Sequence, residues 1–170
     1  MNRVAILIVL SLLLAPSVDG GAWAQSAAGV GRNSGLPIPR FVSLRSSETN
    51  LRTGPGVRYP IDWVYRRKGL PMLVIGEYEF WRQVRDSEGI EGWIHRSLLS
   101  GQRSVVVTLD LAVMRASPKD TAGAVARVQS GAVLNLESCR PGWCRVRGVR
   151  LTGWMRRGAL FGILPDERLD

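Results

Sequence analysis

Two cysteines, Cys139 and Cys144, are the residues with the clearest chemical potential, and they flank the stretch Arg-Pro-Gly-Trp. A Pro-Gly turn between them would place the two thiols on facing strands, close enough for a disulfide bond. A metal site would need further ligands, and a redox pair usually has about two residues between its cysteines. The spacing therefore favours a structural disulfide over a metal site or a redox pair.

Catalysis would require a nucleophile with a base, a metal triad or paired carboxylates. The single histidine, His95, has no partner that the sequence can nominate. Glu77 and Glu79 lie close together, but strand alternation or a turn explains them without a catalytic role. The sequence therefore predicts a protein that is not an enzyme, with no catalytic residue, no metal ligand and no cofactor.

An internal repeat defines the elements that must carry these residues. Four landmarks recur in the same order about sixty residues apart: 50–52 with 113–115, Gly69 with Gly131, 81–85 with 143–147, and 92–94 with 153–155. Short strand-like runs separated by turn signals occur in both copies, as at 72–75 and 133–136. The pattern predicts an all-β chain of two tandem, small, partly open barrels.

Four motifs of the first copy form a set: Asn-Leu-Arg-x-Gly-Pro-Gly from Asn50, Tyr-Pro-Ile-Asp-Trp-Val-Tyr from Tyr59, Trp-Arg-x-Val-Arg-Asp from Trp81 and Gly-Trp-Ile-His from Gly92. Together they resemble the bacterial SH3-like (SH3b) family, in particular its exported two-module proteins. The resemblance is strong over about residues 40–103 and weaker over 104–165. It implies five-stranded barrels of a kind that often target or bind cell-wall peptides.

The remaining segments indicate export. Residues 1–24 are predicted to be a signal peptide, with an apolar run at 4–15 and the cleavage motif Ala-Trp-Ala at 22–24. That run is too short to span a membrane, so no transmembrane anchor is expected after cleavage. Residues 25–39 are predicted to be a flexible lead-in, 40–103 and 104–165 the two SH3-like barrels, and 166–170 a tail. The mature protein is expected to be periplasmic or secreted.

Aromatic residues are more frequent in the first copy than in the second. The tryptophans that the copies share, Trp81 with Trp143 and Trp93 with Trp154, are predicted to fill the barrel cores. The surplus in the first copy could line a groove for an extended peptide, as in SH3-type barrels. The candidate groove residues are Arg52, Tyr59, Trp63, Tyr65 and Arg66. The alternative is that these aromatic residues pack against the second copy.

The chain is strongly basic, with a net charge of +9 at pH 7. Anionic envelope polymers, acidic head groups or acidic proteins are therefore possible partners. The charge divides evenly between the two copies, and export argues against a genomic role, so no nucleic-acid partner is expected.

The leading functional prediction is non-catalytic recognition of a cell-wall (peptidoglycan) or envelope ligand, peptide or glycan, by the first copy, with the second copy as a docked support. One alternative is a structural adaptor that binds another envelope protein. The other alternative is an anionic-polymer or nucleic-acid binder, whose affinity would fall steeply with added salt.

Overall fold

The computed structural model describes residues 29–170, so the predicted signal peptide, residues 1–24, lies outside the described residues. Over 29–170 the chain is built from β-strands and two single-turn 3-10 helices. No helix in this range is long and apolar enough to cross a membrane. The predicted all-β architecture is confirmed.

Two seven-stranded antiparallel sheets form two modules. Module one and the hairpin before it contain β1 (Gly29–Val30), β2 (Pro37–Ile38), β3 (Arg40–Leu44), β4 (Thr49–Arg52), β5 (Ile61–Tyr65), β6 (Pro71–Tyr78), β7 (Trp81–Arg85), β8 (Glu91–His95) and β9 (Leu99–Ser100). Module two contains β10 (Ser104–Val107), β11 (Leu111–Arg115), β12 (Ala124–Gln129), β13 (Val133–Arg140), β14 (Trp143–Arg147), β15 (Thr152–Arg156) and β16 (Leu160–Phe161).

The strand order is the same in both modules, as a duplicated sequence predicts. It is β5-β4-β8-β7-β6-β3-β9 in module one and β12-β11-β15-β14-β13-β10-β16 in module two. The two edge strands of each sheet do not pair with each other, so both barrels are partly open. A 3-10 turn, Arg96–Leu98 in module one and Arg157–Ala159 in module two, leads into the last short strand.

Strand alternation fills each core with aliphatic side chains rather than with the repeated tryptophans. Leu51, Val84 and Ile94 are fully buried in module one, and Met114, Val146 and Met155 are fully buried at the matching positions of module two. Successive residues of a strand point to opposite faces of its sheet. The neighbouring Trp81 and Trp93 therefore lie on the outer face.

The prediction that all four shared tryptophans are core residues is thus wrong for three of them. Only Trp143 is buried, whereas Trp81, Trp93 and Trp154 are partly exposed. The sequence repeat identified the right strands, but it did not fix which of two adjacent residues faces inward.

The segment before the first barrel is ordered where the structure describes it, which corrects the prediction of a flexible lead-in over 29–39. Strands β1 and β2 form a hairpin. The backbone N–H groups of Asn33 and Ser34 donate to the Glu77 carboxylate at 3.2 and 3.0 Å, and the Ser34 hydroxyl donates to it at 2.6 Å. The composition of the segment could not reveal this anchor, because Glu77 lies in another part of the sequence.

The predicted disulfide is confirmed. Cys139 and Cys144 are cross-strand partners in the β13–β14 hairpin, and their sulfur atoms are 2.02 Å apart. The C-terminal tail packs on the same hairpin, since Leu169 forms a backbone bridge with Cys139. Glu167 in this tail forms an ion pair with Arg103.

Candidate functional site

The outer face of module one carries a cluster of aromatic and polar side chains at the centre of its sheet. In the strand register Arg52 lies opposite Trp93, and Trp81 lies opposite His95. A cavity of about 310 Å³ on this face is lined by Asn50, Arg52, Val57, Trp81, His95 and Leu98. We call these six residues the outer aromatic face.

Its floor is an indole next to an imidazole. The rings of Trp81 and His95 meet edge-on with their centroids 5.4 Å apart. The Nδ1 atom of His95 lies 2.7 Å from the Ser97 hydroxyl and accepts the Ser97 backbone N–H at 3.4 Å. With Nδ1 engaged in this way, the favoured tautomer carries its proton on Nε2, which can donate to a ligand.

The rim of the cavity is fixed by Arg52. Its Nη1 group donates to the backbone carbonyls of Val57 and Tyr59, at 3.1 and 2.7 Å. The Tyr59 ring packs against Gly54, where a Cβ atom would collide with it. Of the predicted groove residues, Arg52 therefore lines the cavity, and Tyr59 shapes the loop beside it.

The other predicted groove residues lie elsewhere. Trp63 is 50% exposed but lies opposite Leu51, a core residue, so it belongs to the other face of the sheet from Arg52. Arg66 is exposed and forms an ion pair with Glu48 at 3.7 Å.

Tyr65 is a buried core residue, which corrects its prediction as a groove residue. Its hydroxyl donates to Asp86 at 2.8 Å, and Asp86 also accepts the backbone N–H groups of Glu88 and Ile90. Burial and the hydrogen bond to Asp86 raise the pKa of Tyr65 well above its usual range. This bond joins β5, the edge strand, to the loop after β7. The five predicted residues thus do not form one groove.

Asn50, Trp81 and His95 were not among the predicted groove residues. Trp81 was assigned to the core because it recurs in the second copy as Trp143, and His95 was left as a surface residue because the sequence offered it no catalytic partner. One difference between the copies could have pointed to this site: the second copy has Arg156 at the position of His95.

The matching face of module two is covered by its own side chains. The Arg156 guanidinium lies 4.3 Å from the centroid of the Trp143 ring. Its Nε group donates to Asp120 at 3.1 Å, and the two residues form an ion pair. Asp120 occupies the position that Val57 holds in module one. Asp120 and Arg156 therefore cover the Trp143 ring in module two. Val57 and His95, at the matching positions of module one, leave a cavity over the same face.

The outer aromatic face offers stacking surfaces and hydrogen-bond donors. Over residues 29–170, no group of three or more His, Cys, Asp or Glu residues is arranged to hold a metal ion. Both cysteines are in the disulfide. The geometry is suited to binding a ligand by contact with rings and polar groups.

The solved structures to which this chain is similar include two from Trichomonas vaginalis. NlpC2 has 12% sequence identity and a TM-score of 0.33, with 72% of this chain and 48% of that chain covered. NlpC1 has 14% identity and a TM-score of 0.34, with 77% and 48% covered. The chain thus spans about half the length of each. No curated protein matches.

The family comparison agrees with the two-module architecture. The family described as bacterial SH3 domain matches residues 45–101 and again residues 109–162. Each match covers most of one seven-stranded sheet. The chain therefore belongs to the bacterial SH3 domain family.

Proposed function

We propose that this protein is a non-catalytic, exported binding protein that recognises a cell-wall (peptidoglycan) or envelope ligand, peptide or glycan, through the outer aromatic face of module one. Bacterial SH3 domains are a family of binding modules that generally recognise cell-wall components. The disulfide agrees with a location outside the cytoplasm, because disulfides persist mainly in oxidising compartments.

The open floor of the cavity is the observation that carries this proposal. Trp81 presents a partly exposed indole on which a sugar ring or a peptide plane can stack. His95 and Asn50 add hydrogen-bonding groups beside it, and the volume of about 310 Å³ is at the lower end of the range for ligand sites. A ligand that fits there is a short peptide or one or two sugar units.

Module two serves as a docked support in this proposal. Arg156 already occupies the face of Trp143, and its contact with Asp120 holds it there. A ligand would have to displace this pair before it could stack, so the two modules would not bind the same ligand equally.

A second candidate function is that of an adaptor that binds another envelope protein along β5. This strand is an edge of the sheet, and its residues Ile61, Trp63 and Val64 are exposed. An exposed apolar edge strand can pair with an extended segment of a partner. Trp63 and Arg66 would then contact the partner protein, and the outer aromatic face would be free.

A sedimentation assay with purified, insoluble peptidoglycan tests the leading proposal. Trp81→Ala should weaken binding at least about fivefold, since one aromatic stacking contact is worth about 1–3 kcal/mol. Trp63→Ala is the matched control, because it removes an equally large ring from the other face and should bind like the wild type. Failure of the wild-type protein to sediment with peptidoglycan would exclude the cell-wall ligand.

A paired exchange makes the test sharper. The double variant Val57→Asp, His95→Arg transfers the covering pair of module two to module one and should reduce binding about as much as Trp81→Ala. The reciprocal variant Asp120→Val, Arg156→His should leave wild-type binding intact. If the Trp63→Ala variant instead loses capture of an envelope protein, the adaptor function is favoured. Circular dichroism and the melting temperature establish that each variant is folded.

A further inference from the structure

A second cavity, of about 590 Å³, lies between the two modules. We call it the inter-module cleft. Its walls carry Arg45, Arg67 and Lys68 from module one and Arg147 from module two. It shares no lining residue with the outer aromatic face.

The walls of this cleft are held together by polar contacts between the modules. The hydroxyl oxygens of Ser43 and Ser104, both buried, are 2.5 Å apart. Ser104 also donates to the carbonyl of Gly69 at 2.6 Å. Arg67 reaches across and donates from Nη1 to the carbonyl of Gly131 in module two at 2.8 Å. The Arg67 guanidinium is thereby held against module two before any ligand arrives.

The charge of the cleft is positive and largely uncompensated. No aspartate or glutamate contributes to its lining among the described residues. Arg147 is paired with Glu137 at 3.1 Å, whereas Arg45, Arg67 and Lys68 have no carboxylate within 4.0 Å in the part of the chain that the structure describes. Clefts lined by charge of one sign concentrate counter-ions.

We propose that the inter-module cleft binds an anion that carries phosphate groups. One phosphate monoester brings about 1.5 to 2 negative charges and three acceptor oxygens, so it can satisfy several cations that a single carboxylate could not. Arginine forks match phosphate geometry with two parallel hydrogen bonds. Arg45 and Arg67 each use one N–H group on a backbone carbonyl, so further N–H groups of each can reach a ligand.

The phosphate can belong to a soluble phosphorylated polymer or to the head group of an anionic phospholipid. Titration calorimetry with inorganic tripolyphosphate probes the first source. Flotation with phosphatidylcholine vesicles, with and without phosphatidic acid, whose head group is a phosphate monoester, probes the second. Binding of tripolyphosphate or of the anionic vesicles supports the cleft site, and the probe that binds identifies the source of the phosphate. If neither probe binds, the proposal is overturned.

The double variant Arg45→Gln, Lys68→Gln locates the binding. It keeps Arg67 and its contact with Gly131, and it should weaken binding at least about tenfold, because it removes two charged hydrogen-bond donors. The control Lys119→Gln, Arg127→Gln removes the same charge from residues outside the cleft and should weaken binding less than about twofold. Equal weakening by both variants would show that net charge alone attracts the anion, which overturns the proposal.

The Trp81→Ala variant separates this site from the proposed cell-wall site. It should bind tripolyphosphate or the anionic vesicles as the wild type does. Loss of anion binding in this variant would contradict a separate cleft site. Loss of peptidoglycan binding alone leaves the cleft proposal standing.

Discussion

The β6–β7 hairpin of module one and the β13–β14 hairpin of module two carry different links at the same cross-strand position. In module two the pair is Cys139 and Cys144, joined by a disulfide. In module one the paired residues are Glu77 and Arg82, whose side chains form an ion pair at 3.2 Å. The Glu77 side chain is 1% exposed and that of Arg82 is 6% exposed.

Each link also lies where a terminal segment joins its module. Glu77 accepts hydrogen bonds from Ser34 in the N-terminal hairpin and forms an ion pair with Arg40 at 2.8 Å. Cys139 forms a backbone bridge with Leu169 in the C-terminal tail. An ion pair is weak where water reaches it, so the N-terminal hairpin over Glu77 strengthens the ionic link, whereas the covalent bond between Cys139 and Cys144 does not depend on the tail beside it. We expect different conditions to destabilise the two modules. Acid and removal of charge should act mainly on module one, and reduction should act mainly on module two.

Glu77→Gln tests the ionic link most severely. It leaves the guanidinium groups of Arg40 and Arg82 without their shared counter-charge. Removal of one partner from a buried pair costs about 3–5 kcal/mol, and we expect the lower end, because Arg82 also donates to the carbonyls of Glu79 and Trp81. Urea unfolding followed by tryptophan fluorescence measures the change. A cost below about 1 kcal/mol would contradict a structural role for the pair.

Acid should release the same link in the wild-type protein. Burial alone would raise the pKa of Glu77, but the Ser34 hydroxyl, Arg40 and Arg82 outweigh it and lower the pKa from 4.5 to about 2. Because the folded protein has the lower pKa, the stabilisation is complete above pH 4.5 and is lost as the pH falls toward 2. The free energy of unfolding should drop by about 3 kcal/mol over that interval. In the Glu77→Gln variant the dependence should shrink to what other carboxylates contribute, among them Glu167, whose pKa burial would raise but the hydrogen bond from Arg103 lowers.

Reduction should destabilise module two and leave module one nearly unchanged. A loop as short as the one that Cys139 and Cys144 close contributes about 2 kcal/mol by the chain-entropy argument. Hydrogen exchange with and without a thiol reductant resolves the two modules, since protection should fall in β13 and β14 and persist in β6 and β7. Equal loss in both modules would show that they unfold as one unit.

Tyr65→Phe should give the smallest effect. It removes one hydrogen bond to Asp86, which keeps its two backbone donors. The expected cost is about 1 kcal/mol, confined to module one. Val128, which matches Tyr65 in module two, has no hydroxyl, so Val128→Ala is a packing control without a hydrogen-bond term. A cost for Tyr65→Phe above about 3 kcal/mol would indicate that the bond closes the whole edge of the barrel.

The sequence by itself determined the two all-β modules and the disulfide. Because the landmarks recur at a nearly constant offset, the chain must contain two copies of one strand pattern. The disulfide was predictable because it is local: Cys139 and Cys144 are five residues apart across one turn.

Only the tertiary structure decided where the candidate site lies. Arg52 and Trp63 are near each other in sequence, yet strand alternation and the bulge between Leu51 and Arg52 put them on different faces. Trp81 and His95 are further apart, and the pairing of β7 with β8 brings their rings together. Likewise, Glu77 reaches Ser34, 43 residues away in sequence, only because the N-terminal hairpin folds back on β6. A side chain's face depends on register, and register is set by contacts between strands that no single strand encodes.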